Sequence, residues 1–262
     1  MSRDPATIVA AADTGRDPAY GGLAPPLWTA DTFRWTDAET KPDYDYSRTV
    51  SPNRDMLADV LAELEGAAGG VVTNSGQSAA LLALLLVPGD GLVVAPHDCY
   101  GGTYRLIRGL EEQGRLRAAF VDIKDEAALD AALGEDPALV WIETPSNPLL
   151  RIADIATIAA KARQAGALTL ADNTLLTPCR QKPLAIGCDL VLHSTTKAIN
   201  GHGDVFGGAL HAKNAAFVER LQWWANAAGL SASPQAAWQT LRGLRTLPLR
   251  LDRQEQSAIA IA

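Results

Sequence analysis

Short apolar runs alternate with segments of helical spacing over most of the chain after residue 50. Apolar or β-branched runs of strand length occupy 70–73, 92–95, 118–122, 139–143, 168–171, 190–193 and a less regular stretch at 205–211. Apolar residues at helical spacing predict helices over 76–86, 103–113, 126–133 and 154–164, with a short piece within 175–185. Strands that alternate with helices predict an α/β fold in which a mostly parallel sheet is sandwiched by helices.

The chain divides into three parts by pattern. Residues 1–50 show no sustained period and are expected to form an irregular arm that packs outside its own core. Ser51 and Pro52 are a helix start signal, and Gly66 closes the helix that follows. We expect residues 51–245 to form the α/β domain and residues 246–262 to begin a further domain that the chain does not complete.

Composition narrows the class of protein. The chain has 262 residues, of which 47% are hydrophobic and 20% charged, as in soluble globular proteins. A net charge of -7 argues against a broad nucleic-acid surface. Three cysteines without a CxxC pair, and no HExxH, predict no metal site and a reducing, cytoplasmic location. The longest apolar run, 79–87, is about half of what a bilayer crossing needs.

Polar and reactive side chains follow the predicted strands. In parallel sheets the ligand lies beyond the carboxyl ends of the strands, so these side chains are expected at one edge. The segments concerned are 74–77, 96–100, 144–148, 172–174 and 194–197.

Lys197 and Asp172 are the two candidates for cofactor chemistry at this edge. Lys197 is predicted to be a partly desolvated amine that forms an imine with an aldehyde. Asp172 could pair with a pyridine nitrogen and keep it protonated, so that the ring withdraws electrons from a developing carbanion. Taken singly, a lysine in this place is more often a surface charge and an aspartate more often a turn cap, so the functional roles rest on their joint occurrence.

Other residues at the same sheet edge could bind a phosphate group and an aromatic ring of a ligand. Gly76 opens a helix and offers free backbone N–H groups, while Ser194 and Thr196 offer hydroxyls. Arg48 would supply the countercharge, and the ring of Tyr100 could cover a flat heterocycle. Without a ligand, Gly76, Ser194 and Thr196 could simply cap helices or form turns. Tyr100 could be a half-buried core residue.

The joint pattern resembles a known family, the Cys/Met-metabolism PLP-dependent enzymes, and within it most closely those that carry out γ-replacement. The resemblance extends from about residue 20 to the end of the chain and is carried by segments 44–55, 95–102, 143–150, 193–197 and 200–202. It implies pyridoxal 5′-phosphate (PLP) as cofactor and the large domain of a type I PLP enzyme, similar to aspartate aminotransferase, with the C-terminal small domain missing. That small domain would supply the arginine that grips the substrate carboxylate.

The resemblance also implies roles for single residues. Lys197 would bind PLP covalently and then shuttle protons, and Asp172 would hold the pyridine nitrogen. The other implied contacts are Tyr100 on the ring face, Asn147 at the phenolic oxygen, and Ser194, Thr196, Gly76 and Gln77 at the phosphate. Tyr46 and Arg48 would reach the phosphate in a neighbouring subunit, which implies a homotetramer with active sites shared across a dimer. Tyr100 or Tyr46 could act as catalytic acid or base.

Three positions depart from the family pattern without removing a charged or covalent role. Gln77 stands where the family usually has Met, Leu175 where it has Phe, and Ala198 where a Tyr commonly follows the lysine. Cofactor binding is therefore expected to survive, whereas pocket packing and reaction preference are open.

The implied reaction joins an O-acylhomoserine, such as O-succinylhomoserine, to L-cysteine and gives L-cystathionine. Two alternatives remain: γ-elimination, as in cystathionine or methionine γ-lyases, and a non-catalytic PLP-binding subunit. A nucleotide-binding Rossmann domain is disfavoured because no GxGxxG follows the first strand and no GxxxxGK[ST] occurs.

Overall fold

The structure is a computed structural model that describes residues 3–262. One seven-stranded sheet forms its centre, in the order β1-β7-β6-β5-β4-β2-β3. The strands are β1 (Gly69–Thr73), β2 (Leu92–Pro96), β3 (Arg117–Val121), β4 (Pro137–Glu143), β5 (Leu168–Asp172), β6 (Leu190–His193) and β7 (Gly208–Ala212). Only β7 runs against its neighbours, so the predicted mostly parallel sheet is confirmed.

Ten helices surround or extend from the sheet. They are α1 (Pro5–Ala11), α2 (Pro52–Glu65), α3 (Gly76–Leu84), α4 (Gly101–Glu112), α5 (Glu126–Leu133), α6 (Ile155–Gln164), α7 (Thr177–Arg180), α8 (Ala215–Ala227), α9 (Pro234–Leu244) and α10 (Leu247–Ile261). Within residues 3–262, none of them is long and apolar enough to cross a membrane.

The first part of the arm is helical, contrary to the prediction that residues 1–50 are irregular throughout. The side chain of Asp4 accepts a hydrogen bond from the backbone N–H of Ala6, and a proline occupies the first turn of α1. Ile8 and Val9 are buried against α2 and the helices near the chain end. This apolar segment is therefore a short amphipathic helix that is fixed by its cap and its packing.

Three apolar clusters cover the sheet. Along β2, Val93 and Ala95 contribute to a cluster with α3, α4 and α8, whereas Val94 contributes to a cluster with α5 and α6. This alternation means that both faces of the strands are buried, as the continuous apolar runs predicted. The third cluster joins α1, α2, α9 and α10, and it includes Leu247 and Leu251. The division at residues 50 and 245 stays a prediction.

Candidate active site

A cavity of about 450 Å³ opens at the carboxyl edge of the sheet, where the sequence placed the reactive side chains. This volume is in the range of small-molecule and cofactor sites. Eight of the ten predicted site residues line it: Gly76, Gln77, Tyr100, Asn147, Asp172, Ser194, Thr196 and Lys197. The predicted meeting of the amine and the carboxylate in one cavity therefore occurs in the fold.

Lys197 lies in the turn that follows β6. The backbone N–H of Lys197 donates to the carbonyl of Ser194 at 3.2 Å, and its own carbonyl accepts from the N–H of Gly201 at 2.8 Å. The side chain is exposed, not partly desolvated as expected, because a turn at the sheet edge leaves it uncovered within this chain. The turn holds the amine at the cavity wall, but the residues of this chain do not remove it from water.

Asp172 is the last residue of β5 and lies deeper. Burial raises the pKa of the Asp172 carboxyl above its ordinary value, and hydrogen bonds from Thr174 and the charge of His193 offset only part of this cost. One of these bonds runs from the backbone N–H of Thr174 to Oδ1 at 3.0 Å. A protonated ring nitrogen at Asp172 would supply the missing positive charge, so the carboxylate fits the pyridine end of PLP.

The N-terminus of α3 faces the other end of the cavity. The Ser75 hydroxyl accepts the N–H of Ser78 at 3.1 Å, which leaves the N–H groups of Gly76 and Gln77 to bind an anion. A Cβ at Gly76 would lie only 2.8 Å from the Cβ of Ser194, so the close approach of the two loops requires glycine. Helix amides and a serine hydroxyl in one corner fit a phosphate group.

Thr196 is placed differently from Ser194, although both line the cavity. Its hydroxyl donates to the carbonyl of Gly207 at 3.1 Å and accepts from the Gly207 N–H at 3.0 Å. The hydroxyl proton is thus already engaged, and Thr196 would have to turn it away from Gly207 to donate to a phosphate.

Tyr100 and Asn147 form two walls of the cavity. Tyr100 immediately precedes α4, and its side chain is 43% exposed, so a ring face is open to a ligand. Gly102 is needed here because a Cβ would lie 2.5 Å from Cε1 of the tyrosine ring. Asn147 is exposed in the loop after β4.

Tyr46 and Arg48 do not line the cavity of their own chain. The Arg48 guanidinium donates to the backbone carbonyl and the side-chain oxygen of Asn226 in α8, at 2.9 and 2.6 Å, and lies 5.4 Å from the ring centroid of Tyr46. The structure therefore separates these two residues from the other eight.

Glu143 lines the cavity and was missed as a site residue by the sequence reasoning. It ends β4 directly beside Asp172 in the sheet register and is only 5% exposed. Burial and the neighbouring Asp172 charge raise the pKa of Glu143 to about 7. Its position at the end of an apolar strand, the same position that singled out Asp172, was the available signal.

A buried polar cluster centred on Glu65 connects the ends of β5 and β6. Oε1 of Glu65, at the end of α2, lies 2.6 Å from Nε2 of His193 and accepts from Nδ2 of Asn173 at 3.0 Å. All three side chains are almost fully buried. Because Asn173 follows Asp172 and His193 precedes Ser194, Glu65 ties together the two segments that carry the carboxylate and the lysine.

Comparisons with known proteins identify the family that the whole chain resembles. The sequence profile of the Cys/Met metabolism PLP-dependent enzymes matches residues 6–262. Cystathionine gamma-synthase of Escherichia coli (strain K12) is 49% identical over 263 residues, which cover 100% of this chain and 68% of that protein. Cystathionine gamma-lyase of Bacillus subtilis (strain 168) is 36% identical over 246 residues, or 94% of this chain and 65% of that one.

A solved structure gives the same picture. The cystathionine gamma synthase of Xanthomonas oryzae pv. oryzae in complex with cystathionine superposes with a TM-score of 0.96 at 48% identity. The match covers 99% of this chain and 68% of that one.

Proposed function

Because this chain belongs to the family of Cys/Met metabolism PLP-dependent enzymes, we propose that it carries out γ-replacement. The substrates are an O-acylhomoserine, with O-succinylhomoserine as the first choice, and L-cysteine, and the product is L-cystathionine. The bond between the γ-carbon and the acyloxy oxygen breaks, a carbon–sulfur bond forms, and the thiol proton balances the released carboxylate. The stronger likeness to γ-synthases than to γ-lyases carries this choice of reaction.

The residues that would hold PLP follow from the cavity. Asp172 would pair with the ring nitrogen, Tyr100 would cover the ring, and Asn147 would reach the phenolic oxygen. The phosphate would lie against the amides of Gly76 and Gln77 and the hydroxyls of Ser194 and Thr196. When bound, PLP supplies an aldehyde that combines with amines and a ring that accepts electrons from the substrate α-carbon.

The side chains of this chain would then move protons and fix charges. Lys197 would hold the cofactor covalently, and its amine, when free, would accept the substrate α-proton. Asp172 would keep the ring nitrogen protonated. Tyr100 lines the same cavity and can assist as acid or base, whereas Tyr46 could do so only in a neighbouring subunit.

Product identification tests the reaction. With O-succinylhomoserine and L-cysteine, the protein is expected to form mainly cystathionine, because the thiol captures the activated γ-carbon. Chromatography of the mixture, with parallel assays of 2-oxobutyrate and ammonia, makes the measurement.

The two alternatives give different outcomes in this assay. Predominant 2-oxobutyrate and ammonia in the presence of cysteine would replace the proposal by γ-elimination. Bound PLP without turnover of O-succinylhomoserine would instead support a non-catalytic subunit.

We further propose that Tyr46 and Arg48 act on the cavity of a neighbouring subunit within a homotetramer. Support comes from their position outside their own cavity and from the exposed aromatic residues of the same N-terminal arm, such as Tyr20 and Trp35. An arginine near the phosphate would supply the positive charge that the hydroxyls and amides of the corner lack.

Arg48→Ala is therefore expected to weaken PLP retention about 10-fold, which corresponds to the loss of one charge-assisted hydrogen bond. Equilibrium dialysis with light scattering measures occupancy and assembly together. Asn226→Ala is the matched control, since it removes the side-chain partner of Arg48 within the chain but keeps the guanidinium. Unchanged PLP occupancy in an assembled Arg48→Ala protein would refute the cross-subunit role.

A further inference from the structure

The carboxylate of Glu143 joins two loops that come from different strands. Oε2 accepts the backbone N–H of Tyr100 at 2.8 Å, and Oε1 accepts the backbone N–H of Asn147 at 2.9 Å. Tyr100 belongs to the loop after β2, and Asn147 to the loop after β4. One side chain thus fixes the backbone at two residues that line the cavity.

We propose that Glu143 is a positioning residue that sets the spacing between the Tyr100 ring and the Asn147 side chain around the bound cofactor. This inference rests on the proposed function, because it assigns a role toward PLP. Glu143 acts through Tyr100 and Asn147 and not on the reacting atoms.

The chemistry of the two contacts requires a carboxylate. An ionised glutamate offers two acceptor oxygens and no donor, so it satisfies the two N–H groups, one on each oxygen. A glutamine has only one acceptor oxygen, and its NH₂ group would face an N–H donor. A buried donor left without a partner is costly, so the amide would release one of the two loops.

The groups around Glu143 raise the free energy that its ionisation costs. Glu143 is faced by Asp172 on β5, by Asp98 and Cys99 in the loop after β2, and by Lys197, which lines the same cavity. Burial and the Asp172 charge raise the pKa of Glu143 to about 7, so the empty protein loses the two-sided clamp as pH falls through neutrality. A positive ring nitrogen at Asp172 would neutralise the nearest repelling charge and favour the ionised clamp.

The test compares PLP affinity of the whole chain and of Glu143→Gln as a function of pH. At pH 8 the variant is expected to bind PLP about 10-fold more weakly, since one hydrogen bond to a charged group is lost. Because a protonated glutamate resembles a glutamine in charge and acceptors, the ratio of the two affinities should shrink towards 1 as pH falls to 6. Effects of pH on cofactor binding that do not involve Glu143 are common to both proteins and cancel in the ratio.

Two controls separate positioning from folding and from charge. Ser146→Ala removes the hydrogen bonds of the Ser146 hydroxyl to Asp98 in the loop after β2 and to the N–H of Arg151, but it leaves the Glu143 clamp. Its PLP affinity should therefore fall much less than that of Glu143→Gln. Glu143→Asp keeps the charge but is one methylene shorter and reaches only one loop, so it should lose affinity at pH 8 as the glutamine does. The aspartate variant also carries the test if the glutamine variant fails to fold.

Three results would overturn the inference. Parental affinity of Glu143→Gln or Glu143→Asp at pH 8 would show that the clamp does not matter. A loss that is equal at pH 6 and pH 8, or equal in Ser146→Ala, would show general damage to the loop. If the parent chain itself binds no PLP, the proposed function fails together with the inference, and that result is distinct from the other two.

Discussion

Lys197→Ala is expected to lose the yellow colour of the bound cofactor and about 10³-fold or more of the replacement activity. In the proposed function the lysine has two tasks, the covalent hold on PLP and the transfer of the α-proton, and a single substitution would remove both. Absorbance spectra after dialysis against PLP, together with cystathionine formation rates, make the measurement.

The matched control is Lys213→Ala, since this exposed lysine follows β7 and does not line the cavity. It should keep both colour and activity. If Lys197→Ala retains the colour after dialysis while its unfolding temperature is unchanged, another amine holds the cofactor, and the assignment of Lys197 is wrong.

Asp172→Asn is expected to lower activity about 10²-fold, because a neutral amide does not hold the ring nitrogen in its protonated form. Asparagine keeps the size of the side chain, so the cavity retains its shape. The measurement is the turnover number with PLP at saturating concentration, which separates the chemical step from cofactor binding.

The same substitution should have the opposite effect on the stability of the protein without cofactor. Burial raises the pKa of Asp172 in the folded chain, so its ionisation opposes folding once pH exceeds the ordinary aspartate value of about 3.9. At pH 8 the cofactor-free Asp172→Asn protein should therefore unfold at a higher temperature than the parent. A lower unfolding temperature would show that the ionised carboxylate is paired within the empty cavity.

The sheet and the position of the site could be predicted because each depends on local pattern. The apolar runs fixed six strands to within about two residues, and the polar side chains after them marked the edge where the cavity lies. The seventh strand begins at Gly208, three residues after the predicted start, because the segment before it serves as a loop that pairs with Thr196.

Features that depend on distant contacts escaped prediction. Glu143 gains its importance from N–H groups in two separate loops, and Glu65 from His193, which lies 128 residues away. Helix α8 was also missed, although Asn214 caps it. The cross-subunit role of Tyr46 and Arg48 came from family resemblance alone, because within one chain these residues do not line the cavity.

The pairing of β1 with β7 delays completion of the molecule during its synthesis. Gly69 pairs in register with Ala212, so about 140 further residues must be synthesised before the edge strand β1 can pair with β7. At about 5–20 residues per second this interval is roughly 7 to 30 s. Gly76 follows β1 and Ser194 follows β6, and these are the two strands between which β7 inserts. A nascent chain can therefore bring the two phosphate-binding segments together only after β7 has been synthesised.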